Sequence, residues 1–488
     1  MNNKTMSRLC STLLCLTIAL SLRGDTRRPD AVESLPYQAG DMYDGRIMNV
    51  SRMYPFFEKL VRLEQNKEGK VNIVHIGDSH IQSDFLTNAA RQPLQRQFGN
   101  GGYGFTFPYR LAKGGSGTGF LRYVSNVEWQ SCRNNQPSKC EPGTEFGLCG
   151  YGFSTRANPF VISVSVNEAQ YKFNTIKVVT SGVPSTFILA AADGNPVIQS
   201  VQSSVKHHRI RSGETLVAIA KKYNVSIANI MKENGMKSNY IYAGRNLRIP
   251  VEIKEVNVDM SLFKPLEYAR QEQYVAEYYR KEPVSEIYLL PSGDGKQKVF
   301  SLNGLVVEND APGIIYHGIG TVGSKVSDFN ATPLFFKQLP VLSPDLAVVS
   351  FGTNESYGGV SAVDFVAQID LLVRNIKKVC PDVPVLVMTP PTSLLRREAL
   401  NTLASEYSAS LLLKKDVSLW DLYSFTGGLM GAHDPAAIQI AADKVHYTAQ
   451  GYASQGTAFA RSIVDEYEQY KAARDTLDKG VRIIPGRK

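Results

Sequence analysis

Three short apolar runs punctuate the chain. Residues 71–77 read VNIVHIG, residues 346–352 LAVVSFG and residues 383–389 VPVLVMT, and each ends at glycine or proline. Runs of this length, apolar at nearly every position, predict parallel strands buried on both faces. Between two of them, Val363, Val366, Ile369, Val373 and Ile376 recur at steps of three and four, which predicts an amphipathic helix over 362–379. Such alternation predicts an α/β unit with a doubly wound parallel sheet in three α/β/α layers. Its two parts run over 40–115 and 311–475. Residues 116–205 differ: they are rich in Gly, Ser, Thr and Asn, with alternating stretches at 160–166 (FVISVSV) and 171–179. This predicts antiparallel β-structure. Similar text returns over 252–310, with a turn at 292–295, SGDG. The chain therefore predicts a β-rich domain inserted into the α/β unit, itself interrupted at 206–251.

Charge sharpens that last division. The formal net charge of +9 is concentrated in residues 206–250, which hold nine Lys or Arg against two Glu. A basic island favours an anionic partner. No zinc-finger, helix-turn-helix or RNP pattern is present, which points away from nucleic acid and toward an anionic polymer such as a cell-wall glycan. At the start of the chain, Lys4 and Arg8 precede the apolar run TLLCLTIALSL at 12–22. The run is too short to span a bilayer and has the form of an export signal over 1–24. The protein is expected in the periplasm, in the cell envelope or secreted, with no stable membrane span. Four cysteines then remain: Cys132, Cys140, Cys149 and Cys380. Their spacing lacks the paired short steps of a zinc site. In an oxidising compartment two of the three clustered cysteines are expected to form a disulfide; the spacing does not say which two. No metal and no cofactor is expected: the histidines are scattered, and the adjacent pair His207-His208 cannot easily share one ion.

The chemistry sits at the ends of the predicted strands. Strand 71–77 runs into Gly77-Asp78-Ser79-His80, a strand-to-helix turn that presents a serine at the carboxyl edge of the sheet. Strand 346–352 delivers Gly352-Thr353-Asn354-Glu355 to the same edge, and Gly318-Ile319-Gly320-Thr321-Val322-Gly323 comes before it in the chain. Asp443-Lys444-Val445-His446 lies near the C-terminus. An Asp three residues before a His can receive the Nδ1 proton and leave Nε2 free to act as a base. His433-Asp434 is a rival pair in reversed order. The ordered set of Gly-Asp-Ser, a glycine block, Gly-x-Asn and Asp-x-x-His resembles the SGNH (GDSL-like) hydrolases. The resemblance implies Ser79 as nucleophile, His446 as base and Asp443 as its orienter. It implies an oxyanion hole from the N–H groups of Ser79 and Gly320 and the side chain of Asn354, with Gly318 and Gly323 as alternatives to Gly320. One departure is Glu355, where the family usually has Asp.

Residues 209–251, RIRSGETLVAIAKKYNVSIANIMKENGMKSNYIYAGRNLRIPV, read as strand, two short helices and strand. They resemble LysM domains over their whole length. The resemblance implies binding to peptidoglycan or another N-acetylglucosamine-containing glycan, through a groove around Gly213, Glu214, Thr215, Asn234 and Tyr240. Together the two resemblances imply an exported serine esterase that removes O-acyl groups from cell-wall glycan, similar to the peptidoglycan O-acetylesterases, some of which carry a β-sandwich insertion. An esterase for another acylated polysaccharide or sialic acid, and a non-catalytic wall-binding scaffold, remain alternatives. The oligomeric state is not legible.

Overall fold

The apolar runs form one parallel sheet. The computed structural model describes residues 45–480, apart from 116–117, 183–185, 195, 199–204, 251–257, 294–297, 432 and 435. The expected export signal lies outside the described residues. Strands β1 (Lys70–Gly77), β2 (Gly313–Gly320), β3 (Leu346–Ser350), β4 (Val385–Met388) and β5 (Ser418–Trp420) lie in the order β2-β1-β3-β4-β5, every pair parallel. Alternate side chains enter cores on opposite faces, as a pleated sheet covered on both sides requires. Val74, Ile76, Ile319, Val349 and Val387 point to one core. Ile73, Tyr316, Val348, Leu386 and Met388 point to the other.

The helices that cover these faces are α1 (Tyr54–Asn66), α2 (Ser79–Gln82), α3 (Phe85–Phe98), α4 (Val326–Asn330), α5 (Thr353–Tyr357), α6 (Ala362–Val379), α7 (Thr402–Leu412) and α8 (Ala449–Gly480). Helix α6 is the periodic segment read from sequence. The Ser361 hydroxyl caps it by accepting the Asp364 N–H at 3.1 Å, and Phe365, Ile369, Leu372 and Ile376 are buried beneath it. Each such side chain contributes about 1.5–3 kcal/mol relative to exposure. Helices α1, α3 and α8 cover the opposite face through Phe56, Phe57, Leu60, Leu94, Phe459 and Ile463.

The insertion comprises two five-stranded antiparallel sheets and a three-stranded one. The first contains Leu121–Ser125, Ile162–Val166, Phe187–Ala192, Phe263–Pro265 and Glu286–Pro291. The second contains Gly102–Thr106, Phe173–Val179, Arg270–Glu272, Val275–Val284 and Gly304–Glu308. Both contribute to one core, with Phe160, Val164, Ile176, Val178, Leu189 and Leu289 at its centre, and that core is continuous with one face of the parallel sheet. The first strand, Gly102–Thr106, falls within the stretch 40–115 that the sequence reading gave to the α/β part. It pairs with Gly304–Glu308. Its glycines carry no side-chain signal for a strand. Cys132 and Cys140 are disulfide-bonded, whereas Cys149 is buried and Cys380 half-buried, both as free thiols.

Residues Val205–Arg209 and Asn246–Pro250 pair antiparallel around helices Leu216–Tyr223 and Ile227–Glu233, the strand-helix-helix-strand order expected. Ile210, Leu216, Ile219, Ile230, Leu247 and Ile249 form its own small core.

Candidate active site

Strands β1, β2 and β3 deliver three of the four sequence blocks to the carboxyl edge of the sheet, where open α/β sheets place their ligands. Ser79 begins α2 directly after β1. Asp78 caps that helix, its Oδ1 accepting the His80 N–H at 3.0 Å. Gly77 is required for a steric reason rather than for an unusual turn conformation. A Cβ there would meet Ile81 Cγ1 at 2.4 Å and the Ser350 carbonyl oxygen at 2.6 Å.

The fourth block comes from the loop before α8. Ala441 N donates to the His446 carbonyl at 2.7 Å and Leu394 N to the Lys444 carbonyl at 2.9 Å, which fix that loop. His446 Nε2 lies 2.8 Å from Ser79 Oγ. Its Nδ1 lies 2.7 Å from Asp443 Oδ2. Asp443 Oδ1 accepts the N–H groups of Val445 at 3.0 Å and His446 at 2.9 Å. Partial burial works against ionisation of Asp443, but the hydrogen bonds from His446 and Val445 outweigh it and hold the carboxyl below its usual range. The base and its orienter are open to solvent: the His446 side chain is 38% and the Asp443 side chain 52% exposed. Asp434, of the rival pair, uses its carboxylate to accept the Ala437 N–H at 3.1 Å.

Asn354 Nδ2 donates to the Ser324 carbonyl at 3.0 Å and to Asp78 Oδ2 at 3.3 Å. Its side-chain amide is therefore held beside the nucleophile turn. Gly320 ends β2 and is buried. A Cβ there would meet Gln82 N at 2.2 Å and the Asp78 carbonyl oxygen at 2.5 Å. Its lack of a side chain thus lets α2 cross the strand. Two residues later the chain turns, with Ser324 N donating to the Thr321 carbonyl at 3.1 Å and Gly323 at φ +79°. Among the described residues, the N–H groups of Gly323 and Ser79 meet no acceptor. Of the glycines weighed in this block, Gly320 is fixed by packing against the nucleophile turn, and Gly323 lies in the turn that follows with no acceptor for its N–H among the described residues.

The roles of two residues beside the triad were not legible in the sequence. His80 is buried. Its Nδ1 lies 2.8 Å from the Tyr452 hydroxyl, its Nε2 3.2 Å from Thr353 Oγ1, and its ring 5.2 Å from that of His446. Burial pushes it down to about 3, so it is a neutral imidazole across the physiological range. Glu355 explains the departure from the usual Asp. Its Oε1 accepts the Val326 N–H at 2.7 Å and its Oε2 the Gly352 N–H at 3.1 Å. Two helix starts are thereby joined. Burial raises Glu355 to about 7 and Asp78 to about 6.

In residues 206–251, most of the residues expected to contact glycan are also bonded within the domain. Glu214 Oε2 accepts from Arg211 N at 2.7 Å and lies 2.8 Å from His208 Nε2. Thr215 caps a helix through Ala218 N. Asn234 bonds the Ile230 carbonyl and both backbone groups of Arg248. Gly213 is a left-handed turn residue. Only Tyr240, 77% exposed, presents a free face, and the unforeseen Tyr242, 70% exposed, stands two residues away.

Residues 302–454 match the GDSL-like Lipase/Acylhydrolase family and residues 208–250 the LysM domain family. A solved peptidoglycan O-acetylesterase superposes with a TM-score of 0.56 at 18% identity, over 85% of this chain and 96% of that one. At that identity the likeness is one of fold. The chain is 37% identical over 71 residues to Intracellular hyphae protein 1 of Colletotrichum lindemuthianum, covering 14% of this chain and 30% of that protein. It is 25% identical over 158 residues to the N-acetylmuramoyl-L-alanine amidase sle1 of Staphylococcus aureus, covering 30% of this chain and 44% of that one. It thus spans less than half the length of the curated relatives it matches. Among the described residues no helix is long and apolar enough to cross a membrane. The chain therefore carries a GDSL-like lipase/acylhydrolase domain and, within the sequence of its insertion, a LysM domain.

Proposed function

We propose that the protein is a serine esterase of the cell envelope that removes O-acetyl groups from peptidoglycan, held on that polymer by its LysM domain. The observation that carries this reading is the line Ser79 Oγ, His446 Nε2, His446 Nδ1, Asp443 Oδ2, with spacings of 2.8 and 2.7 Å. A serine hydroxyl is a weak nucleophile until a base takes its proton. His446 takes it as Ser79 Oγ attacks the ester carbonyl. The resulting oxyanion is received by the Ser79 N–H, the Asn354 side chain and an N–H of the second block, from Gly320 or Gly323. The imidazolium, steadied by Asp443, returns the proton to the departing sugar oxygen as the C–O bond breaks, which releases the sugar hydroxyl. Water then attacks the acyl-serine, again with His446 as base. The solvent-open triad suits an ester on a long, stiff glycan strand. The LysM match and the exposed Tyr240 and Tyr242 support the same polymer. The test is release of acetate from O-acetylated peptidoglycan, with chemically de-acetylated polymer as the blank. Wild type should release acetate and Ser79→Ala should fall to the blank. Equal release by the two proteins would refute the assignment.

A further inference from the structure

The turn Thr321–Ser324 is held from two sides. From its own domain, Val322 N donates to Gln82 Oε1 at 2.8 Å and Thr321 N to the Gly77 carbonyl at 3.3 Å. Further anchors come from the insertion, 172 to 190 residues away in sequence. Arg133 Nη1 and Asn135 Nδ2 each donate to the Val322 carbonyl at 3.1 Å. The Ser324 hydroxyl donates to Asn134 Oδ1 at 2.7 Å. The Thr321 hydroxyl donates to the Cys149 carbonyl. Arg133, Asn134 and Asn135 lie in the short loop closed by the Cys132–Cys140 disulfide. Asn134 is buried, and its N–H is fixed to the Gly150 carbonyl at 2.8 Å.

This turn bears two parts of the oxyanion site. Its Ser324 carbonyl orients Asn354 by accepting from its Nδ2, and its Gly323 N–H, with no acceptor among the described residues, directly follows the strand that ends at Gly320. We propose that the disulfide-closed loop of the insertion is a positioning element of the catalytic centre, with Asn134 and Asn135 setting where the oxyanion donors stand. Resting on the esterase reading, this makes the insertion necessary for turnover of even a small soluble ester that never touches it. Oxyanion donors act through placement fixed in advance, so a displacement of under an ångström lowers turnover without weakening ground-state binding. Cross-linking the loop removes alternative conformations in which Asn134 and Asn135 swing away from the turn. Breaking Cys132–Cys140 is then expected to act in the same direction as losing Asn134.

The experiment uses the full chain and p-nitrophenyl acetate. Steady-state kcat and KM are measured for Asn134→Ala, Ser324→Ala, their double variant, Asn135→Ala, and the paired Cys132→Ser and Cys140→Ser variant, with Ser79→Ala alongside. Asn134→Ala and Ser324→Ala should each lose kcat by roughly 10- to 100-fold with KM within about threefold. The double variant should be no worse than the poorer single, because both break one bond. Asn135→Ala and the cysteine pair should lose kcat in the same pattern. The proposal is overturned if Asn134→Ala turns over within about twofold of wild type while Ser79→Ala is inactive, or if the two losses multiply. It is also overturned if the loss sits in KM alone. The cysteine pair need not fold for these outcomes to decide. Activity surviving in Ser79→Ala would instead overturn the esterase reading, and this coupling with it.

Discussion

Gly320→Ala separates steric packing from hydrogen-bond donation at one position. The substitution adds a methyl where a Cβ meets Gln82 N at 2.2 Å and the Asp78 carbonyl oxygen at 2.5 Å. Both are backbone atoms flanking Ser79, so no side-chain rotation relieves the contact. Restoring a spacing of 3.0 Å to the nearer atom moves α2 by about 0.8 Å. Ser79 moves with it, away from His446 Nε2 and the oxyanion donors. A displacement approaching 1 Å costs roughly 100-fold in rate, and overpacking of this kind costs about 1–3 kcal/mol of stability. The variant keeps the Gly320 N–H, so donation alone predicts near-normal turnover. Gly323→Ala is the comparison. There, among the described residues, a Cβ meets only a side-chain atom, Asn135 Nδ2 at 2.8 Å, whose bond to the Val322 carbonyl it would disturb, and the backbone at φ +79° adds about 1–2 kcal/mol of strain. The assay is kcat on p-nitrophenyl acetate together with the thermal midpoint of each protein. A folded Gly320→Ala enzyme within about twofold of wild-type kcat would refute the steric argument.

Two further outcomes follow from other parts of the molecule. Burial raises Glu355 to about 7, above the range of an unfolded glutamate, so the native state keeps a proton that the unfolded chain has already lost. Its contribution to stability is therefore present at low pH and declines as pH rises from the unfolded value toward about 7; Glu355→Gln, which does not titrate, should gain on wild type across that window in thermal unfolding, and a difference constant from pH 4.5 to 8 would contradict it. Deleting residues 206–250 should leave turnover of a soluble ester nearly intact and weaken sedimentation with insoluble peptidoglycan, since that segment has its own core and supplies none of the triad; unchanged sedimentation would argue against glycan binding there.

The catalytic blocks were legible because each is local: the residues of Gly-Asp-Ser, of Gly-x-Asn and of Asp-x-x-His sit within four positions of one another, and the short apolar runs announce the strands that carry them. What was not legible depends on which way a backbone group points. Gly320 and Gly323 lie three residues apart, yet one ends a strand under a crossing helix and the other sits in a turn with its N–H free. The contacts of Asn134 and Asn135 with Val322 and Ser324 join distant stretches of chain that share no periodicity. The strand Gly102–Thr106 was read outside the insertion because glycines at alternate positions erase the period-two signal. His80 stood next to the nucleophile in plain view, but its role as a neutral, buried partner to Tyr452 and Thr353 follows from packing that no local pattern encodes. Glu355 was noticed as a departure; only its reach to Val326 N and Gly352 N gives the longer side chain a purpose.

The pairing of Gly102–Thr106 with Gly304–Glu308 bears on how such a chain finds its fold. Lys70 on β1 pairs with Gly313 on β2, roughly 240 residues away. Closing a flexible loop of that length costs about 2 kcal/mol more than closing one of thirty residues, since each doubling adds about 0.6 kcal/mol. The antiparallel register Leu305↔Thr106 through Glu308↔Gly102 draws the two ends of the insertion together. The bond from Asn309 N to the Gly101 carbonyl at 3.1 Å continues that closure toward β2. Once this neck has zipped, the parallel sheet meets a connection of a few dozen residues, and most of the closure penalty disappears. Weakening the neck should therefore slow refolding of β1 against β2 more than it lowers the stability of either sheet.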